Sequence, residues 1–149
     1  MPKEPVEIRL PKQDYLSLLA AMVAAGSVFF PWFNIEVVTS YSGYTNHQLY
    51  GTFKGTYVEG GWAGLSLSLF CVVMIFLRNK WGSLTGFCNV LIGLSYLLGW
   101  VDLSSKFLAT RKDNALLLVE PQNGLYMFIV SSLVCSVLII RTHYASRGF

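Results

Sequence analysis

The sequence predicts an all-α membrane protein: a bundle of four transmembrane helices, capped on its outer side by a small extracytoplasmic β-sheet. Three observations predict it. The 149 residues are 54% apolar and only 13% charged, where a soluble domain carries about 25% charge and about 45–50% apolar residues. The mean hydropathy is +0.51. Four runs, 15–33, 60–77, 81–101 and 124–140, contain no Asp, Glu, Lys, Arg or His. The chain is too apolar for disorder, and three cysteines are too few for a secreted disulfide framework. A formal charge of +3 is too weak to imply a nucleic-acid partner.

Residues 1–14 form a leader. Pro2, Pro5 and Pro11, with Val6, Ile8 and Leu10 alternating, predict an extended segment able to pair with a strand of another protein. The run 15–33 then matches the roughly 20 residues needed to cross about 30 Å of hydrocarbon. Inside lipid its backbone must satisfy itself, so it is read as a helix. It is longer than a signal-peptide core and ends in Phe30-Pro31-Trp32 instead of small residues, which predicts a retained span.

The outer loop 34–59 is rich in strand formers. Ile35–Thr39 and Tyr50–Val58 read as strands, with Ser42-Gly43 and Lys54-Gly55 as turns. The runs 60–77 and 81–101 follow, joined by the short basic link Arg78-Asn79-Lys80. In the outer loop 102–123, Arg111–Asn114 reads as a turn and Ala115–Val119 as a strand stopped by Pro121. The run 124–140 is the last span, and residues 1–149 make one membrane domain. No run carries the polar stripe that a helix of a soluble bundle needs.

The four tryptophans, Trp32, Trp62, Trp81 and Trp100, sit at the ends of the runs. Amphipathic indoles favour the headgroup level, so all four are expected to be interface anchors. Orientation follows from Lys and Arg: the leader, the 78–80 link and the tail hold seven, the two outer loops four. That asymmetry predicts a multi-pass protein of the plasma or inner membrane with both termini cytoplasmic.

Chemistry is scarce. Cys71, Cys88 and Cys135 lie on three different runs without a CxxC or a nearby His, so they read as packing residues. His47 and His143 lie outside the runs, which excludes a haem held between two histidines of the spans. No mid-membrane charge is available for ion coupling. The outer acids Glu36, Glu59, Asp102, Asp113 and Glu120, with His47, are not paired by their spacing and read as a solvated rim. No metal, phosphate-loop or nucleophile motif is present, so neither a cofactor nor an enzymatic activity is expected.

Small residues form the clearest pattern. Gly60, Gly64 and Ser68 recur every fourth position, and Gly82, Gly86, Asn89 and Gly93 follow at helical spacing. Ala21 and Ala25 make a similar pair. Such stripes let helix backbones approach closely, either within one chain or against a neighbouring subunit.

The layout resembles the claudins: a leader, a first span, a long stranded loop, a tight inner hairpin and a shorter second loop. It is also similar to small bacterial four-span proteins whose first helix ends in Pro-Trp, here Pro31-Trp32, with Gly60-Gly61-Trp62 and Gly124-Leu125-Tyr126 opening later helices. The first loop lacks the tryptophan and cysteine signature of claudins, so the resemblance implies architecture alone. The expected function is a non-catalytic accessory or scaffolding subunit of a larger membrane complex. Its partners would be the lipid bilayer and other membrane subunits. The alternative is a self-assembling claudin-like tetraspan forming a pore or adhesion contact through Tyr, Phe and Thr of the first loop.

Overall fold

At Ser27 the chain leaves its first helix and within three residues begins a strand. A computed structural model describes residues 12–41, 44–99 and 115–145, with side chains for 14–39, 44–99 and 119–143. The helix is α1, Lys12–Ser27, and the strand is β1, Pro31–Tyr41. Phe29 and Phe30 close a turn by donating to the carbonyls of Gly26 and Ser27, each at 3.1 Å. Pro31 has no N–H to continue the helix and disfavours helical geometry in the residue before it. The next side chain completes the exit, since Trp32 Nε1 donates to the Ser27 carbonyl at 3.1 Å. That oxygen is one of those a helix end leaves without an intrahelical donor.

β1 is the centre of a three-stranded antiparallel sheet in the order β2-β1-β3, where β2 is Tyr44–Lys54 and β3 is Ala115–Pro121. Phe33 lies opposite Phe53 on one side and Pro121 on the other. Along β1, Phe33, Ile35 and Val37 are buried while Asn34, Glu36 and Val38 are partly exposed, the two-residue period of a strand. An irregularity in the register between Pro31 and Phe33 breaks the period and turns Trp32 inward as well. β2 is exposed along Tyr44–Tyr50. The sheet therefore draws on both loops, with β1 beginning four residues before the expected Ile35. A 3-10 turn, Gly55–Tyr57, replaces the end of the expected second strand.

After the 3-10 turn come α2, Glu59–Phe76, and α3, Trp81–Leu97; α4, Asn123–Ala145, follows β3. The helices pack in the cyclic order α1-α2-α3-α4, and each runs opposite to both neighbours. Thr56 of the 3-10 turn donates to the Val28 carbonyl just past α1, and Gly60 at the start of α2 donates to the Tyr96 hydroxyl at the end of α3.

Four membrane spans are not what this structure contains. Among the described residues two helices, Glu59–Phe76 and Asn123–His143, are long and apolar enough to cross a membrane. The apolar part of α1 is only Asp14–Ser27, because Pro31 ends the helix and residues 31–33 of the expected span belong to β1. α3 has 17 residues and stops at Leu97, where Gly99 takes a left-handed conformation, φ 69°, in the usual manner of a helix C-terminus. Absence of charge does not make a run one continuous helix; local backbone chemistry cuts two of the four runs short. The last helix is instead longer than expected, reaching Ala145.

The core has two apolar clusters. Beside the sheet, Ala24, Val28, Trp32, Phe33, Val58, Tyr96, Leu125 and Phe128 pack together. Nearer the α2–α3 turn, Ala20, Ala21, Cys71, Ile75, Cys135 and Ile139 form the second. Outward, every helix shows large apolar side chains, among them Leu16 and Leu19, Leu69 and Val73, Leu84 and Leu91, and Val130 and Val137.

The α2–α3 turn closes with paired bonds: Asn79 N–H to the Met74 carbonyl at 2.9 Å and Arg78 N–H to Ile75 at 3.0 Å. This is a Schellman cap, whose left-handed residue is usually glycine. Here it is Arg78, φ 50°, the one positive-φ non-glycine among the described residues. Asn79 Oδ1 then accepts the Trp81 N–H at 3.1 Å and starts α3.

Two substitutions should move stability in opposite directions. Arg78→Gly relieves the left-handed backbone and is expected to stabilise by about 1 kcal/mol. Trp32→Ala empties the upper cluster and should cost about 3–5 kcal/mol. Denaturant unfolding of the two variants beside the wild type measures both.

Candidate functional site

The small residues singled out by spacing all face neighbouring helices of the same chain. Gly60 lies against the Tyr96 ring and Gly64 against Phe128. Gly82 faces Ile139 and Met74, Gly86 faces Ser136 and the Ser132 carbonyl, and Gly93 faces Ile129 and Phe128. Ser68 Oγ donates to the Gly64 carbonyl and accepts from Asn89 Nδ2, both at 2.8 Å. Of the two roles the spacing left open, close approach within one chain accounts for all seven positions. Sequence reasoning missed Gly61 and Gly55, which meet each other: a Cβ on Gly61 would collide with the Gly55 carbonyl, and one on Gly55 would stand 2.6 Å from the Trp32 indole.

The tryptophans divide. Trp62 and Trp81 are exposed near the starts of α2 and α3. Trp32 is 0% exposed, so its expected place as an interface anchor is corrected: the irregularity in β1 turns the indole into the core. Its ring lies 5.9 Å from that of Tyr96 and 5.0 Å from that of Phe128. Trp100 lies outside the described residues, as do Asp102 and Asp113. Among the rim residues, His47 Nδ1 approaches Glu36 Oε2 at 3.6 Å on the exposed side of the sheet. The two residues are diagonal neighbours in the β1–β2 ladder, a relation invisible until the register is known.

Where the four helices meet, the interior is polar and sulfur-lined. Cys71 and Cys135, free thiols on α2 and α4, have their sulfurs 3.6 Å apart. Cys71 Sγ lies 3.3 Å from the Gly82 carbonyl, and Cys135 Sγ 3.4 Å from that of Ser17. A void of about 10 Å³ is lined by Ala21, Ala24, Ser68, Cys71, Gly86, Asn89, Ser132 and Cys135. Asn89 Oδ1 and Ser132 Oγ are buried there without a hydrogen-bond partner among the described residues. Cys71 and Cys135 are far apart in sequence, and the ring order of the helices is what brings them together.

A larger cavity opens at the far end of the helices from the sheet. It holds about 130 Å³ and is lined by Asp14 of α1, Arg78, Asn79 and Lys80 of the turn, and Thr142 and His143 of α4. Met74, Ile75 and Ile139 supply its apolar wall. Asp14 is 7% exposed, whereas Arg78 and Lys80 are exposed. Sequence reasoning had placed these three segments on one side of a membrane without bringing them together as a site. Among the described residues no group of three or more His, Cys, Asp or Glu is placed to hold a metal ion. No protein-family model matches the sequence, and no curated protein matches it.

Close approach has a measurable consequence. Gly61→Ala sets a methyl against backbone and should destabilise by about 3 kcal/mol, whereas Gly86→Ala meets chiefly the Ser136 hydroxyl and should cost less. A double-mutant cycle on Ser68→Ala and Asn89→Ala is expected to give a coupling of about 1 kcal/mol. Unfolding free energies of the variants check both.

Proposed function

We propose that this chain is a membrane-embedded, multi-pass accessory subunit that acts by contact with other membrane proteins. The observation that carries the reading is the distribution of polarity. Ser17, Ser68, Thr85, Asn89, Ser132 and Ser136 are buried between helices, while all four helices turn leucine and valine outward. Water would favour the reverse arrangement, and hydrocarbon favours this one. The exposed apolar surface is also the kind through which a partner helix packs. Arg78, Lys80 and Arg141 flank the same end of the two candidate spans, which argues for a cytoplasmic side there and for the sheet on the opposite side. There β2 is an edge strand among the described residues, the kind of edge to which a partner strand can add.

The test has two parts. The chain should stay in the membrane fraction through alkaline carbonate and leave it with detergent; release by carbonate removes the membrane reading. Affinity purification in mild detergent should recover stoichiometric companions. A clean monomer removes the subunit reading.

A further inference from the structure

The cavity at the α2–α3 turn brings charges of both signs to one apolar-walled recess. Asp14 is 93% buried, lines the cavity, and makes no hydrogen bond or ion pair among the described residues. From the first turn of α1 its carboxylate faces the cavity with no cationic partner among the described residues, so a cationic group in the cavity would find its counter-charge there. Arg78 and Lys80 line the same cavity from the turn, exposed and making no ion pair with Asp14. Arg78 moreover occupies the left-handed position where glycine is favoured, so a cationic side chain is kept at a cost to the turn.

From this arrangement we propose that the cavity binds a zwitterionic headgroup carrying a primary ammonium and a phosphate, as in phosphatidylethanolamine. The ammonium pairs with Asp14 and the phosphate with Arg78 and Lys80. Size agrees, since about 130 Å³ accommodates a headgroup and not a lipid. Met74, Ile75 and Ile139 give the adjoining carbon chain an apolar surface. A purely anionic headgroup would bring its charge toward the buried carboxylate. A bare amine would leave both rim cations unused, and a choline group has no N–H to donate to Asp14. The same chemistry is present in free phosphoethanolamine, so membrane and soluble sources need to be separated. As a lipid site the proposal rests on the membrane reading above.

The experiment follows thermal unfolding of the full chain in mild detergent, titrated with dihexanoyl phosphatidylethanolamine, phosphatidylglycerol and phosphatidylcholine, and with phosphoethanolamine. The ethanolamine lipid should raise the midpoint saturably, with the other two lipids at least tenfold weaker. An equal response to phosphoethanolamine assigns the site to a soluble ligand; a response confined to the lipid assigns it to the bilayer. Asp14→Asn should weaken the ethanolamine lipid at least tenfold. Arg78→Gly should do the same while the protein without lipid becomes more stable, so the site remains testable if the first variant does not fold. Equal responses to the three lipids overturn the proposal, as does an unchanged titration in Arg78→Gly. A chain that purifies alone yet discriminates the headgroups overturns the subunit reading and leaves this one standing.

Discussion

The structure depends on burying Trp32 at the junction of helix and sheet. An indole at that point must be surrounded on every side, and the surroundings come from distant parts of the chain. Its nitrogen holds the last turn of α1, and its ring meets Tyr96 of α3 and Phe128 of α4. Gly55 lies so close that a side chain there would strike it. Gly55 in turn abuts Gly61, and Tyr96 accepts the Gly60 N–H, so the start of α2 is placed by contacts that begin at the tryptophan. The glycines of this region are therefore requirements of one large side chain's packing, and not generic helix spacers.

Farther from the sheet the helices are held differently. Serine hydroxyls at 68 and 136 return to carbonyls four residues earlier, at 2.8 and 2.9 Å, so these donors are satisfied within their own helices. Among the described residues the Asn89–Ser68 bond and the Cys71 thiol on the Gly82 carbonyl tie α3 to α2 in this layer. Interhelical bonds of this kind contribute on the order of 0.6 kcal/mol. Close fit between small residues, more than polar attraction, sets the helix separation here.

Much of this was legible in the residues. Gly60, Gly64 and Ser68 at four-residue intervals marked a buried face, and the strand formers around Val37 and Tyr50 marked the β1–β2 pair. Helix ends were not legible from hydropathy, because an apolar residue is equally at home in a helix and in a buried strand. Pro31 and Gly99 carried that information instead. Trp32 was misread because its position at the end of an uncharged run fits an anchor as well as a core ring. Asp14, Arg78 and His143 each looked like an ordinary flanking charge; their meeting around one cavity is a property of the ring order of helices.

The alternating direction of those four helices has an electrical consequence. Each helix carries a macrodipole of about half an elementary charge at either end. With every neighbour reversed, positive and negative ends alternate around both rims, and the axial components cancel in pairs. Neighbouring dipoles therefore largely oppose one another along the central line, where Asn89, Ser132 and the two sulfurs line a void of about 10 Å³. The bundle interior is electrically quiet, and the ionised side chains of its described helices gather at their ends.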